Sequence, residues 1–283
     1  MLSNVRRYDL AVAYRIYPAV SKPAVGLPCS EDKFRLAEMC LRSFRGCLGP
    51  LRAKVWALLD GCPPEYNALF RKYIDPRDLV ILELDRIGNR ATFGKQLDIL
   101  LAQEDSEVVY FAEDDYFYLP RQFPAMLSFL TGHPEVDFIS PYDHLDCYTL
   151  DFHRTPKWLT VSASHHWRTA ASSCMTFLTQ KQTLARCESV FRSYQRRNDD
   201  CAVWLSLTKH RVRNPFALSR YLLGSQFGWK SMLKAWLYCW KQIVFGKKMK
   251  LWVPIPGMAT HLSYGLLSPN VDWCALMQEE LLA

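Results

Sequence analysis

The fold class this sequence predicts is α/β, with a mixed sheet flanked by helices, and three observations predict it. Short apolar runs alternate with helix-like segments from residue 9 to residue 115. The run Val108-Val109-Tyr110-Phe111-Ala112 is apolar throughout, as expected of a strand covered on both faces. It ends abruptly in Glu113-Asp114-Asp115, and in sheets of this kind ligands bind beyond the carboxyl ends of the strands. Three neighbouring carboxylates repel one another unless a positive charge joins them. A hard divalent cation shared with a phosphate-bearing substrate is the natural candidate. An acidic turn closing the strand is the plainer reading.

Asp9 to Tyr17 reads as the first strand, stopped by Pro18, and Pro18 to Pro28 as a loop. Ser30 is the expected N-cap of a helix whose apolar surface is Phe34, Ala37, Met39, Leu41 and Phe44 and which ends at Gly46 or Gly49. Val55 to Leu59 is a second strand, closed by Asp60-Gly61. Helix Glu65 to Tyr73 and strand Val80 to Leu84 follow. A polar loop, Asp85 to Arg90, leads to a helix from Phe93 to Gln103 and then to the acidic strand. No Gly-x-Gly-x-x-Gly or Walker-type loop follows the first strand, so neither phosphate-binding fingerprint is present.

The later pattern is looser. Helix Pro120 to Leu130 and strand Val136 to Ser140 are expected, then an irregular stretch from Tyr142 to Lys157. Trp158 to Ser162 and Ala171 to Leu178 read as strands, and Lys181 to Arg196 and Ala202 to Leu207 as helices. Pro254 to Pro269, which contains His261, reads as a loop.

The chain has 283 residues, 49% of them apolar, enough for a sizeable core. Its formal charge of +7 suits an anionic substrate or membrane surface and is too dispersed to argue for nucleic acid. Ten cysteines show no metal-knuckle or redox spacing, so reduced thiols in a cytoplasmic protein are expected. No apolar stretch is long enough to span a bilayer.

With these elements placed, the chain resembles glycosyltransferases of the GT-A fold, above all the inverting family-2-like enzymes, over roughly residues 8–265. The likeness rests on Asp60-Gly61 closing the second strand, the Arg86-Ile87-Gly88-Asn89-Arg90 loop before a helix, Glu113-Asp114-Asp115, and Asn198-Asp199-Asp200 before a later helix. It departs from the family in lacking Gln-x-x-Arg-Trp; Trp167-Arg168 is the nearest echo and stands before Asp200. The resemblance implies a single domain: 1–215 binding nucleotide-sugar and acceptor, and 216–283 completing it with a helical segment and an active-site loop.

It also implies roles. A Mn²⁺ or Mg²⁺ ion is expected on Asp115 and His261. Tyr14, Arg15, Asp60, Arg90, Lys95, Glu113 and Asp114 are expected on the donor. Asp200, with Asp199 as alternative, is the expected general base, although either acid also suits a helix cap. His166, Trp167 and Arg168 are the candidate acceptor contacts; His165 and His166, adjacent on a strand, point oppositely and do not share an ion. The implied reaction is sugar transfer from a nucleotide-sugar to a glycan or lipid-linked glycan in surface polysaccharide synthesis. A non-catalytic sugar-binding module and a sugar nucleotidylyltransferase are the rivals; the latter needs a glycine-rich loop that Tyr14 to Pro23 lacks.

From Lys230 to Lys250, Leu233, Trp236, Leu237, Trp240 and Val244 share one helical face, with Lys230, Lys234, Lys241 and Lys248 on a ridge beside it. Peripheral membrane contact and a helix packed on the domain with its lysines outward both account for that pattern.

Overall fold

A computed structural model of the protein describes residues 8–19, 27–153, 157–214, 226–263 and 265–282. The first half alternates as expected: β1 (Leu10–Ile16), α1 (Lys33–Leu48), β2 (Ala53–Asp60), α2 (Glu65–Tyr73), β3 (Leu79–Leu84), α3 (Asn89–Ala102) and β4 (Val108–Glu113). These four strands are parallel, in the order β3-β2-β1-β4. Every residue of β1 is buried because helices cover both faces of the sheet. Leu10, Val12, Tyr14 and Ile16 enter one core with α1, α2 and α4 (Phe123–Gly132). Ala11 and Ala13 enter the other with α3. Inside the sheet, the Gln96 amide donates to the Ala13 and Ala112 carbonyls at 2.7 and 3.0 Å, tying β1 to β4 near their carboxyl ends.

The second half completes the sheet in mixed fashion. β5 (Tyr116–Tyr118) pairs with β11 (Ala259–His261) in a separate two-stranded sheet. β6 (Phe138–Ile139), α5 (Asp146–Thr149), β7 (Leu159–Ser162), β8 (His165–Ala170) and β9 (Phe177–Gln180) follow, then α6 (Lys181–Gln195) and α7 (Asp200–Thr208). Last come α8 (Gln226–Phe245), β10 (Leu251–Ile255), β11 and α9 (Trp273–Leu282). Among the described residues the main sheet has nine strands, β3-β2-β1-β4-β9-β6-β10-β8-β7, with β9 antiparallel to both neighbours. The predicted class, α/β with a mixed sheet flanked by helices, is the one observed. β10 lies between β6 and β8, so the C-terminal segment and the first half share one sheet.

Three local expectations need correction. The cap of α1 is Asp32, which accepts from Arg35 N at 3.1 Å; Ser30 sits in the preceding turn, its own N–H on the Leu27 carbonyl. Residues 171–176 are irregular, and the strand pairing there is made by β8 and β9 on either side. The expected loop from Pro254 holds β11, whose pairing with β5 delivers His261 beside Tyr116. The stretches 20–26 of the first loop and 215–225 lie outside the described residues.

Behind the sheet, burial pushes the His153 imidazole down to about 4, and that of His210 likewise to about 4 despite its hydrogen bond to the Phe152 carbonyl. His153 Nδ1 has no partner. Between pH ~6.5 and ~4 the unfolded chain therefore binds more protons at these sites than the native one. Stability is full above pH ~6.5 and falls as the pH drops toward 4, by on the order of a few kcal/mol. Melting temperatures at pH 7.5 and 5 should differ by several degrees, and His153→Phe should flatten the dependence. An unchanged slope in the variant would refute the assignment.

Candidate active site

The carboxyl ends of β1, β2 and β4 open onto a cavity of about 550 Å³. Five carboxylates line it, Asp60, Glu113, Asp114, Asp115 and Asp200, together with Arg15, Lys33, Arg86 and His261. The rest of the wall includes Asn89, Cys174, Met175 and Tyr194. Residues far apart in the chain thus meet at the position where the α/β topology collects ligands.

Each acid of the central stretch has its own surroundings. Glu113 pairs with the Arg15 guanidinium and accepts from Thr176 Oγ1 at 2.7 Å. Arg15 also donates to Asn89, at the start of α3, with 2.9 Å to its carbonyl. Asp114 pairs with Lys33 Nζ at 2.7 Å and accepts from Tyr17 N at 3.2 Å. Burial raises the Asp114 carboxyl despite that lysine. The Lys33 ammonium, which burial would lower, is instead held above its ordinary value by Asp114.

Asp115 differs. Its Oδ2 lies 3.0 Å from His261 Nε2, while its Oδ1 is buried with no partner. Burial disfavours its charge, but His261 outweighs that and brings the carboxyl down to about 2. Asp115 is therefore ionised throughout the neutral range.

A carboxylate with an unpartnered oxygen, beside an imidazole, could hold a divalent cation that draws its remaining ligands from elsewhere. Among the described residues no group of three or more His, Cys, Asp or Glu is arranged to hold a metal by itself. Glu113 and Asp114 already have cations of their own. Asp115 and His261 are thus the pair here that could take part in holding a cation.

Asp60 accepts from the backbone N–H groups of Ile87 and Gly88 at 2.7 and 2.8 Å and from Thr92 Oγ1 at 3.3 Å. An anion there satisfies the orphan donors at the start of α3. Gly61 is required beside it: its φ is +68°, and a Cβ would come within 2.2 Å of Arg86 Cγ. Asp60 lines the cavity and also holds the Arg86 loop in shape.

The two candidate bases separate. Asp199 is the N-cap of α7, accepting from Ala202 N at 2.7 Å and facing Lys234 at 3.1 Å. Asp200 lines the cavity, anchored by Cys201 N at 2.8 Å.

Several expected contacts lie elsewhere. Tyr14 is fully buried between Phe44 and Phe70, because alternation along β1 sends Arg15, not Tyr14, toward α3 and the cavity. Arg90 and Lys95 are exposed on α3 and do not line the cavity; Arg86 and Asn89, just before them, do. Trp167 stacks on Phe129 at 4.2 Å, and Arg168 is buried against Asp143. His166 is exposed on β8. β9, β6 and β10 stand between β8 and β4, which removes all three from the acids.

Lys33, Cys174, Met175 and Tyr194 are among the lining residues the sequence reading missed. Lys33 carried a signal: a cation in the first turn opposes the helix dipole and needs a reason to be there. Tyr194, on α6, is brought in only by the fold.

No family model and no curated protein matches this chain. Solved structures similar to it include S. aureus TarS 1-349, with 12% identity over 87% of this chain and TM-score 0.41. This chain spans 60% of TarS 1-349. The galactosyltransferase LgtC, in complex with donor and acceptor sugar analogs, has 8% identity, covers 96% of this chain and 94% of that one, and gives 0.42. The mannosyltransferase PcManGT from Pyrobaculum calidifontis, in complex with GDP-Man and Mn²⁺, has 14% identity, covers 82% and 70%, and gives 0.40.

Proposed function

We propose that this protein transfers a sugar from a nucleotide-sugar donor to a glycan or lipid-linked glycan hydroxyl, with inversion and with Mn²⁺ or Mg²⁺. The observation that carries the reading is the meeting of Asp115, His261 and Asp200 at one cavity, from β4, β11 and α7. A module that only binds sugars has no need of a cation pair and a separately anchored carboxylate together. Its ten free cysteines suit a reducing, cytoplasmic compartment.

In this mechanism the donor's diphosphate lies by Asp115 and His261, and its nucleoside runs toward Asp60 and Arg86. A bound divalent cation would supply charge stabilisation to the departing diphosphate. Lys33 and Arg15 hold Asp114 and Glu113 in place and offset charge that would otherwise repel the phosphates. The acceptor oxygen attacks the anomeric carbon from the face opposite the leaving group. Asp200 takes the hydroxyl proton as that bond forms, and the bond to the diphosphate oxygen breaks.

The test is thermal stability of the full chain against a panel of nucleoside diphosphates, with and without Mn²⁺. A ligand that binds only the native state at about 100 times its Kd adds roughly 2.7 kcal/mol. One nucleotide should raise the melting temperature by several degrees only when the metal is present. No shift with any nucleotide and any divalent cation would remove the proposal.

A further inference from the structure

The helix α8 shows solvent the face that a domain helix ordinarily hides. Met232, Ala235, Cys239 and Ile243 point inward, where α8 packs on α7. Leu233, Leu237, Trp240 and Val244, spaced as one stripe of a helix, are 57%, 67%, 47% and 41% exposed. Phe245, at the end, is 78% exposed. A helix packed with its lysines outward would bury that stripe. Here the apolar stripe and the lysines both face outward. The backbone departs from helical geometry at Cys239, yet exposed stripe residues lie on both sides of that point.

The segment's own charges are of one sign; Asp199 pairs with Lys234 at 3.1 Å and Asp137 with Lys247 at 3.6 Å, and the other lysines have no acid of the segment beside them. Residues 230–250 contain Lys230, Lys234, Lys241, Lys247, Lys248 and Lys250 and no Asp or Glu. The Lys230 and Lys241 ammonium groups lie over the rings of Trp229 and Trp240, 6.0 and 5.8 Å from the ring centroids. Past the helix the same pairing recurs: the Lys250 ammonium is 4.7 Å from the ring centroid of Trp158, which is 68% exposed beside edge strand β7. Among the described residues no helix is long and apolar enough to cross a membrane.

We propose that the outward face of α8 docks in the plane of an anionic lipid bilayer. Its apolar stripe enters the headgroup–acyl boundary and the lysine ridge meets the phosphates. Apolar area and charge complementarity act together there: tryptophans seat at the boundary, and several lysines within a screening length of the surface each add attraction. A second protein would have to offer an apolar groove rimmed with acids, and a second copy of this chain would set lysine against lysine. The proposal does not depend on sugar transfer.

The test is co-sedimentation of the full chain with vesicles of neutral phosphatidylcholine, and with vesicles carrying about a third phosphatidylglycerol. Partitioning to the anionic vesicles should be at least about tenfold stronger, and should fall steeply in ~0.5 M salt, where the screening length shrinks to roughly 4 Å. Leu237→Glu with Trp240→Glu should lower it by about tenfold or more with an unchanged melting temperature. Should that pair not fold, Lys241→Glu with Lys248→Glu tests the charge alone and should weaken binding to the anionic vesicles only. Equal or absent binding to both vesicle types, or undiminished binding in the variants, overturns the proposal. So does sedimentation velocity showing a wild-type dimer that the apolar variant splits, because a second copy then covers the stripe.

Discussion

Asp200→Asn should lower the transfer rate by about 10²- to 10⁴-fold while metal-dependent nucleotide binding stays at the wild-type level. The amide keeps the shape of the carboxylate and can still accept from Cys201 N, the 2.8 Å contact that anchors the side chain. It cannot take a proton from an attacking hydroxyl. The loss should appear in kcat and not in donor KM, because Asp200 acts on the acceptor. Asp199→Ala is the control. It removes the cap bond to Ala202 N and the contact with Lys234, and should cost about 1 kcal/mol of stability with little effect on rate. Rates measured with the nucleotide-sugar chosen by the thermal-shift panel decide the matter. An active Asp200→Asn, or a folded Asp199→Ala as slow as Asp200→Asn, would take the base role from Asp200.

Asp115→Asn and His261→Ala should each abolish the metal-requiring part of the nucleotide stabilisation and reduce transfer by at least about 10²-fold. Asp115 is the acid of the central stretch with a buried oxygen that has no partner, so the cation is assigned to it. Glu113 and Asp114 are held by Arg15 and Lys33, and charge-removing variants there should loosen the site as a structure. Glu113→Gln weakens the tie between β1, α3 and residue 176 and should be read first in the melting temperature. If Asp115→Asn keeps a full Mn²⁺-dependent shift and Asp114→Asn loses it, the assignment within the stretch is wrong.

The sequence by itself determined the α/β class, the first four strands and three helices, and the placement of acids at the end of β4. These follow from local physics. Apolar runs covered on both faces read as strands, prolines and glycines break the chain, and a parallel sheet opens its sites at the carboxyl ends. His261 and the Asn198-Asp199-Asp200 stretch are singled out by the resemblance to GT-A glycosyltransferases and not by local physics.

Tertiary structure decided where each residue stands. Spacing cannot tell Asp199 from Asp200; the cap geometry of α7 spends one and leaves the other on the cavity. Tyr14 and Arg15 are neighbours in sequence, but the two-residue period of a strand sends one into the core and the other to the site. Trp167-Arg168 reads like a site and lies on β8, with three strands between it and β4 in the sheet, because long-range pairing sets strand order and no local signal encodes it. The same holds for α8. Its pattern shows an apolar stripe beside lysines, and only packing on α7 determines that a different face is buried, leaving stripe and lysines both to the solvent. Periodicity records which residues share a face; what that face meets is settled by the rest of the chain.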